Sequence, residues 1–104
     1  MLKPESLFAE AAPEPTEEVF TTLLEKQGLK IERIASHGHV SPAGFWYDQE
    51  QEEWVLLVRG EAVLQVEGQP DLRLKAGDHL RIPAHLRHRV ASVSDDALWL
   101  AVHF

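Results

Sequence analysis

The sequence predicts an all-β protein, an antiparallel sandwich or barrel with one short helix near its N-terminus. Two observations favour this fold class. From residue 29 onward, short runs in which apolar and polar residues alternate are typical of half-buried strands. Glycine, proline and aspartate separate these runs, which indicates about seven or eight short strands and favours antiparallel pairing over a parallel α/β sheet. At 104 residues, the chain is expected to form one domain.

The first 28 residues differ in composition from the rest of the chain. Residues 1–15 carry three prolines among alanine and glutamate, which predicts an irregular arm. Residues 16–27 are predicted to form an amphipathic helix, because Thr16 is suited to an N-cap and Gly28 to the C-terminal stop. The apolar stripe of this helix consists of Val19, Phe20, Leu23 and Leu24.

The barrel is predicted over residues 29–104. Its first strand begins at Leu29 and includes Ile34, and the aromatic segment 45–47 is expected to form a short strand. The run 54–58 is apolar on both faces, which predicts a central strand whose outer face is covered by the helix or by a second subunit in a homodimer. Further strands are predicted at 61–67, 72–75, 80–82, 89–93 and 97–104.

The last two strands are predicted to form a hairpin around the turn at Asp95 and Asp96. In that register His88 lies opposite His103, and Trp99 lies opposite Ser92. Directly opposed residues share a face of the sheet, so the two histidines would approach each other. A shift by one residue would turn them to opposite faces.

Composition excludes several classes of partner. Seventeen acidic against ten basic residues give a net charge of -7, which repels nucleic acid and anionic membranes. Because the chain contains no cysteine, a bound metal would need histidine, carboxylate, amide or water ligands. Neither a long apolar span nor a signal sequence is evident, so we expect a cytoplasmic protein that binds a small molecule.

Two motifs resemble those of a known family. Glu53 is followed by an apolar run and, after six intervening residues, by Gly60. The second motif consists, in chain order, of Gly77, Pro83, His85 and His88. In combination and spacing, residues 29–104 resemble the small single-domain bacterial cupins. The resemblance implies a double-stranded β-helix, the cupin jelly-roll barrel, with a pocket inside it.

The resemblance also implies a metal site. Glu53 takes the place of the family's glutamate ligand, and His88 that of its second-motif histidine. The two upstream positions that hold histidines in the family are Tyr47 and Gln49 here, and Gln49 is a candidate carbonyl donor. His85 occupies the place of a glycine in the second motif.

A ligand set of Glu53, His88 and either His103 or His85 suits a divalent metal such as Fe, Zn, Ni or Mn as cofactor. Each residue also has a plainer interpretation. Glu53 could begin a strand at the solvent boundary, His85 could be a solvated turn residue, and His103 could be hydrogen-bonded within the last strand. Tyr47 and Trp99 are expected to line the pocket. His37, His39 and His79 are expected at the surface.

Three functions remain open from the sequence. The first is a metal-dependent enzyme that acts on a small polar molecule in the barrel. The second is a non-enzymatic cupin with a degenerate site that binds or senses a metal or a small ligand, which the absence of both upstream histidines favours. The third is a structural or interaction domain. No catalytic residue and no reaction type follow from the sequence, because a fold does not determine a chemistry.

Overall fold

The computed structural model describes residues 1–9 and 18–104. It confirms the predicted all-β fold, with antiparallel strands in two sheets. In chain order the strands are β1 (Val19–Lys26), β2 (Leu29–Ala35), β3 (Glu53–Arg59), β4 (Glu61–Val66), β5 (Leu72–Lys75), β6 (His79–Ile82), β7 (His88–Val93) and β8 (Leu98–His103). The five-stranded sheet has the order β1-β2-β8-β3-β6, and the three-stranded sheet has the order β5-β4-β7.

The hydrophobic core lies between the two sheets. Its buried members are Val55, Leu57, Ala62, Leu64, Leu74, Ile82, Ala97 and Trp99. Along β3 the inward residues Val55 and Leu57 are buried, whereas Trp54 and Leu56 on the outer face are half-buried. This alternation follows from the two-residue period of a strand. The strand lies between β8 and β6, in the central position that its apolar sequence predicts.

The helix predicted over 16–27 is wrong. Its residues from Val19 to Lys26 form β1, which pairs with β2, and its first two residues lie outside the described part of the chain. A bulge between Thr22 and Leu24 adds one residue to the strand. Val19 and Phe20 lie on opposite faces of the strand, and with Leu23 and Leu24 at the bulge they give the spacing that resembles a helical stripe. Across residues 1–9 and 18–104, no helix has the length and apolar composition needed to cross a membrane.

The N-terminal residues contact the outer face of the five-stranded sheet. The guanidinium of Arg33, on β2, donates hydrogen bonds to the backbone carbonyls of Ser6 and Leu7 at 3.5 and 3.1 Å. Arg33 is buried by these contacts, while Phe8 remains exposed. Because side chains alternate along a strand, the residues that flank Arg33 in β2 face the interior of the barrel.

The predicted hairpin between the last two strands is also wrong. The turn at residues 94–97 carries the chain from one sheet to the other, so β7 pairs with β4 and β8 pairs with β2 and β3. His88 is therefore opposite Val66, and His103 is opposite both Lys30 and Glu53. The two histidines approach from facing sheets and not from neighbouring strands.

The connection between β2 and β3 supplies one wall of the barrel interior. The strand predicted at 45–47 reduces to a single bridge, in which the Tyr47 and His88 backbones exchange hydrogen bonds of 2.7 and 3.2 Å. The backbone N–H of His85 donates to the carbonyl of Gln49 at 2.8 Å. These bonds hold residues 47–49 against the start of β7.

The chain passes from one sheet to the other at Gly60, between β3 and β4. Gly60→Ala tests the packing at this point, and Gly68→Ala is its matched control. Both glycines have positive φ angles, 92° and 84°, so alanine costs about 1–2 kcal/mol at either position. A Cβ atom at Gly60 would also overlap the Ser94 hydroxyl and lie 2.9 Å from Cα of Ala97, whereas Gly68 has nothing within 4 Å. We expect Gly60→Ala to lower the free energy of unfolding, measured with urea, by about 1–3 kcal/mol more than Gly68→Ala. Equal losses would contradict this packing.

Candidate functional site

A pocket opens between the two sheets. Its polar lining consists of Glu18, Glu32, Ser36, Tyr47, Gln49, Glu53, His88 and His103. Its apolar lining consists of Phe20, Ile34, Val55, Leu64, Ile82, Val90 and Trp99. An apolar wall with a few converging polar groups is typical of sites that bind small molecules.

His88 is a buried residue of the pocket that a backbone bridge and a side-chain hydrogen bond hold in place. It begins β7 and is only 5% exposed. Its Nδ1 lies 2.9 Å from the backbone carbonyl of Leu86. Because a carbonyl can only accept a hydrogen bond, Nδ1 carries a proton and Nε2 faces the pocket. Nε2 lies 3.6 Å from Oε1 of Glu53, too far for a hydrogen bond but within reach of an ion pair when the imidazole is charged.

Glu53 is held opposite His103 by the pairing of β3 with β8. Oε2 of Glu53 lies 4.0 Å from Nε2 of His103. The same Nε2 lies 2.8 Å from Oε1 of Glu32, whose other oxygen is 3.6 Å from Nζ of Lys30. Acid and imidazole groups thus alternate across the pocket, and both carboxylates are buried.

Tyr47 covers one face of the His88 imidazole. The two rings are stacked with centroids 5.4 Å apart and an interplanar angle of 25°. Burial raises the pKa of Tyr47, and the negative charges of Glu18, Glu53 and Glu32 raise it further. The hydroxyl of Tyr47 therefore remains protonated at neutral pH and acts as a neutral hydrogen-bonding group.

Opposing effects act on the pKa of His88. Burial lowers it, because the charged imidazolium is disfavoured away from water. The interaction with the Glu53 carboxylate and the hydrogen bond to the Leu86 carbonyl act in the other direction and outweigh burial. The pKa of His88 consequently lies above its usual value.

Most of the residues predicted from the sequence lie together in this pocket. Glu53, His88, His103 and Gln49, four of the five candidate ligands, line it, as do the candidate pocket residues Tyr47 and Trp99. The structure places the fifth candidate, His85, elsewhere. Its side chain is exposed, and its Nδ1 lies 2.8 Å from Oδ1 of Asp48. The φ angle of His85 is 62°, a left-handed conformation that glycine adopts more easily.

Sequence reasoning missed Glu18 and Glu32. Glu32 projects inward from β2 beside Ile34, which shares its face. The apolar residues Ile31 and Ile34 lie on opposite faces of the strand, so apolar pattern alone did not identify the inner one. Counting in steps of two from Ile34 would have found Glu32. Glu18 was assigned to the predicted helix, where no pocket was expected.

The remaining histidines lie outside the pocket lining. His79 packs against the Trp54 ring on the outer face of the sheet, with centroids 5.5 Å apart. His37 and His39 contact each other edge to face at 6.2 Å. None of the three lines the pocket within the described chain.

A comparison with protein families identifies the fold family. The model of the cupin domain matches residues 31–103. The chain belongs to the cupin domain family. No curated protein matches this cupin.

Solved structures agree with this assignment. A protein of Ralstonia eutropha JMP134, provisionally named a mannose-6-phosphate isomerase, is 48% identical, with a TM-score of 0.92 over 98% of this cupin and 97% of that chain. An RmlC-like cupin of Desulfovibrio desulfuricans is 19% identical, with a TM-score of 0.76 over 99% and 97% of the two chains. KdgF of a Halomonas species is 21% identical, with a TM-score of 0.68 over 81% and 76%. The latter two show a shared fold alone.

The interaction between Glu53 and His88 predicts a pH dependence in metal-free protein. The folded pKa of His88 is raised, so its contribution to stability is complete below about pH 6.5 and is lost as the pH rises through the folded pKa. Glu53→Gln removes the charge and leaves burial to dominate, so we expect the pKa of His88 to fall. An NMR titration of the imidazole in the presence of EDTA measures this change.

Glu52→Gln is the matched control for this titration. Glu52 adjoins Glu53 but pairs with Arg81 at 3.0 Å in an exposed position. We expect the control to leave the pKa of His88 unchanged. An equal fall in both variants, or no fall in Glu53→Gln, would contradict the assigned cause.

Proposed function

We propose that this cupin binds a divalent metal in its barrel pocket and acts there as an enzyme on a small polar molecule. The arrangement of His88 and Glu53 carries the proposal. The two side chains come from facing sheets, are buried, and place donor atoms 3.6 Å apart, while the second nitrogen of His88 is held by the Leu86 carbonyl. A histidine ligand is commonly oriented by a hydrogen bond of this kind.

The donor chemistry of the pocket fits such an ion. Metal bonds of about 2.0–2.2 Å place neighbouring donors roughly 3.0–3.5 Å apart. The separations from Glu53 to His88 and to His103, 3.6 and 4.0 Å, are slightly longer. Among the residues described, no group of three or more His, Asp or Glu side chains is already gathered as a metal centre. Small side-chain movements would therefore have to accompany binding.

Imidazole and carboxylate donors suit Fe, Zn, Ni or Mn, so they do not select one metal. Glu53, His88 and His103 would hold the ion, with Gln49 and Glu32 as further oxygen donors lining the same pocket. A bound ion would supply Lewis-acid polarisation and an acidified water. The protein would supply orientation, since Tyr47 stacks on His88.

The relative provisionally named an isomerase supports an enzymatic role, because it covers nearly the whole chain at 48% identity. A specific observation favours a second candidate, a non-enzymatic cupin that binds a small ligand. Nε2 of His103 and Oε1 of Glu32 already pair with each other at 2.8 Å. In addition, Tyr47 and Gln49 occupy the positions where the family has histidines. The homodimer and the cytoplasmic location stay predictions.

Metal binding is tested with untagged protein, stripped with EDTA and dialysed against Fe²⁺, Mn²⁺, Zn²⁺ or Ni²⁺ before elemental analysis. We expect about one equivalent of at least one metal. Glu53→Gln and His88→Ala should weaken binding by about 100-fold or more, since even a residue that only orients a ligand contributes about 10–100-fold. Circular dichroism checks that each variant folds.

His85→Asn is the matched control, because asparagine tolerates the φ angle of 62° and this side chain lies outside the pocket. It should retain full metal binding. Metal content well below one equivalent for every ion, or equal losses in the control, would contradict the proposed site.

Turnover distinguishes the two candidate functions. Small polar molecules that raise the melting temperature of the metal-loaded protein are assayed for conversion and, with Fe²⁺, for oxygen consumption. Conversion that is lost in Glu53→Gln supports the enzyme. Thermal shifts without conversion support the binding protein.

A further inference from the structure

The charges that line the pocket are unbalanced. Three carboxylates reach it, those of Glu18, Glu32 and Glu53. No lysine or arginine is found in the lining that the structure describes, and residues 10–17, outside the description, contain neither residue type in their sequence. In metal-free protein, an anionic ligand would therefore enter a pocket without a lysine or arginine to receive it.

The cationic groups nearest the pocket already face carboxylates. Lys30 and His103 both contact Glu32, at 3.6 and 2.8 Å. His88 faces Glu53. A phosphate group would have to displace one of these acids from its partner and leave a buried carboxylate uncompensated, which is costly.

Of the three acids, Glu18 is the one whose interaction with a cationic group is weakest, since only the charge of His39 acts on it. It lines the pocket together with Phe20, and its carboxylate has no hydrogen bond or ion pair to any of the residues described here. Burial raises its pKa, and only the charge of His39 opposes this effect. Glu18 and Phe20 are two residues apart in an extended segment, so they project to the same side.

We propose that the pocket takes a small molecule that carries a protonated amine, and that, without a bound metal, it excludes phosphorylated molecules. The ammonium group would lie at Glu18, beside the ring of Phe20, which is 54% exposed and offers a cation–π face. The proposal rests on the pocket being the binding site, as in the proposed function. The amine site does not depend on the metal, because Glu18 is outside the proposed ligand set.

The name of the 48% identical relative would suggest a sugar phosphate as the ligand, and a protonated amine differs from it in the sign of its charge. A sugar phosphate presents an anion that usually meets arginine, lysine or a helix N-terminus. None of these features lines the pocket within residues 1–9 and 18–104.

Three matched probes test the proposal by NMR on EDTA-treated protein: ethanolamine, ethylene glycol and inorganic phosphate. Binding is followed through the indole N–H of Trp99 and the backbone amide of Gln49. We expect ethanolamine to shift these signals, to bind at least about fivefold more tightly than ethylene glycol, and to weaken in high salt. Phosphate should leave them unchanged. Pocket shifts with phosphate, or none with ethanolamine, would overturn the proposal.

Two variants test where the amine binds, one at Glu18, just before β1, and one at Glu25, within β1. Glu18→Gln should weaken ethanolamine binding by about fivefold. Glu25→Gln, an exposed change on β1 outside the pocket lining, should not. Equal effects of both variants would overturn the assignment to Glu18. Metal binding is measured separately, so the two proposals can fail independently. If the protein binds ethanolamine but no metal, this inference stands. If it binds metal but not ethanolamine, the proposed function stands.

Discussion

The placement of β8 between β2 and β3 is the constraint on which the pocket depends. Through these two pairings His103 lies beside Glu53 on one side and projects next to Glu32 on the other. Backbone pairing fixes the positions of these three residues, so little further conformational entropy is lost when their side chains come together. The three-stranded sheet then packs across the core and presents His88 to the same space. Sheet order, more than any local motif, assembles the site.

The cost of this arrangement is the burial of ionisable groups. Glu32, Glu53 and His88 lie away from water, where an unpaired charge would be strongly destabilising. Alternation of acid and imidazole offsets part of that cost, which is why the pKa of His88 is raised in spite of burial. The separations of 3.6 and 4.0 Å between these groups are the distances on which the proposed metal site rests. Stability alone would favour an apolar core in their place.

Local patterns in the sequence predicted the strands, the family and four lining residues with candidate metal roles, because alternation and turn residues act over a few positions. They failed where the pairing of strands that are distant in sequence decides the structure. Asp95 and Asp96 suit a hairpin, yet their turn joins two sheets, and His103 reaches the pocket through Glu53. Apolar residues on both faces of β1, together with the bulge after Thr22, have the spacing of a helical stripe. Glu32 was missed because β2 carries apolar residues on both faces.

The substitutions at the family's histidine positions acquire a structural meaning from these contacts. Tyr47 no longer offers an imidazole, but its ring stacks on His88 and its backbone bridges to the same residue. In the proposed site, His103 and Glu32 would take over as donors, and both belong to paired strands, which hold side chains more rigidly than a connecting segment does. The proposed site would thus exchange two imidazoles for one imidazole and one carboxylate. The exchange makes the pocket more acidic, which is the property that a protonated amine would use and a phosphate would not.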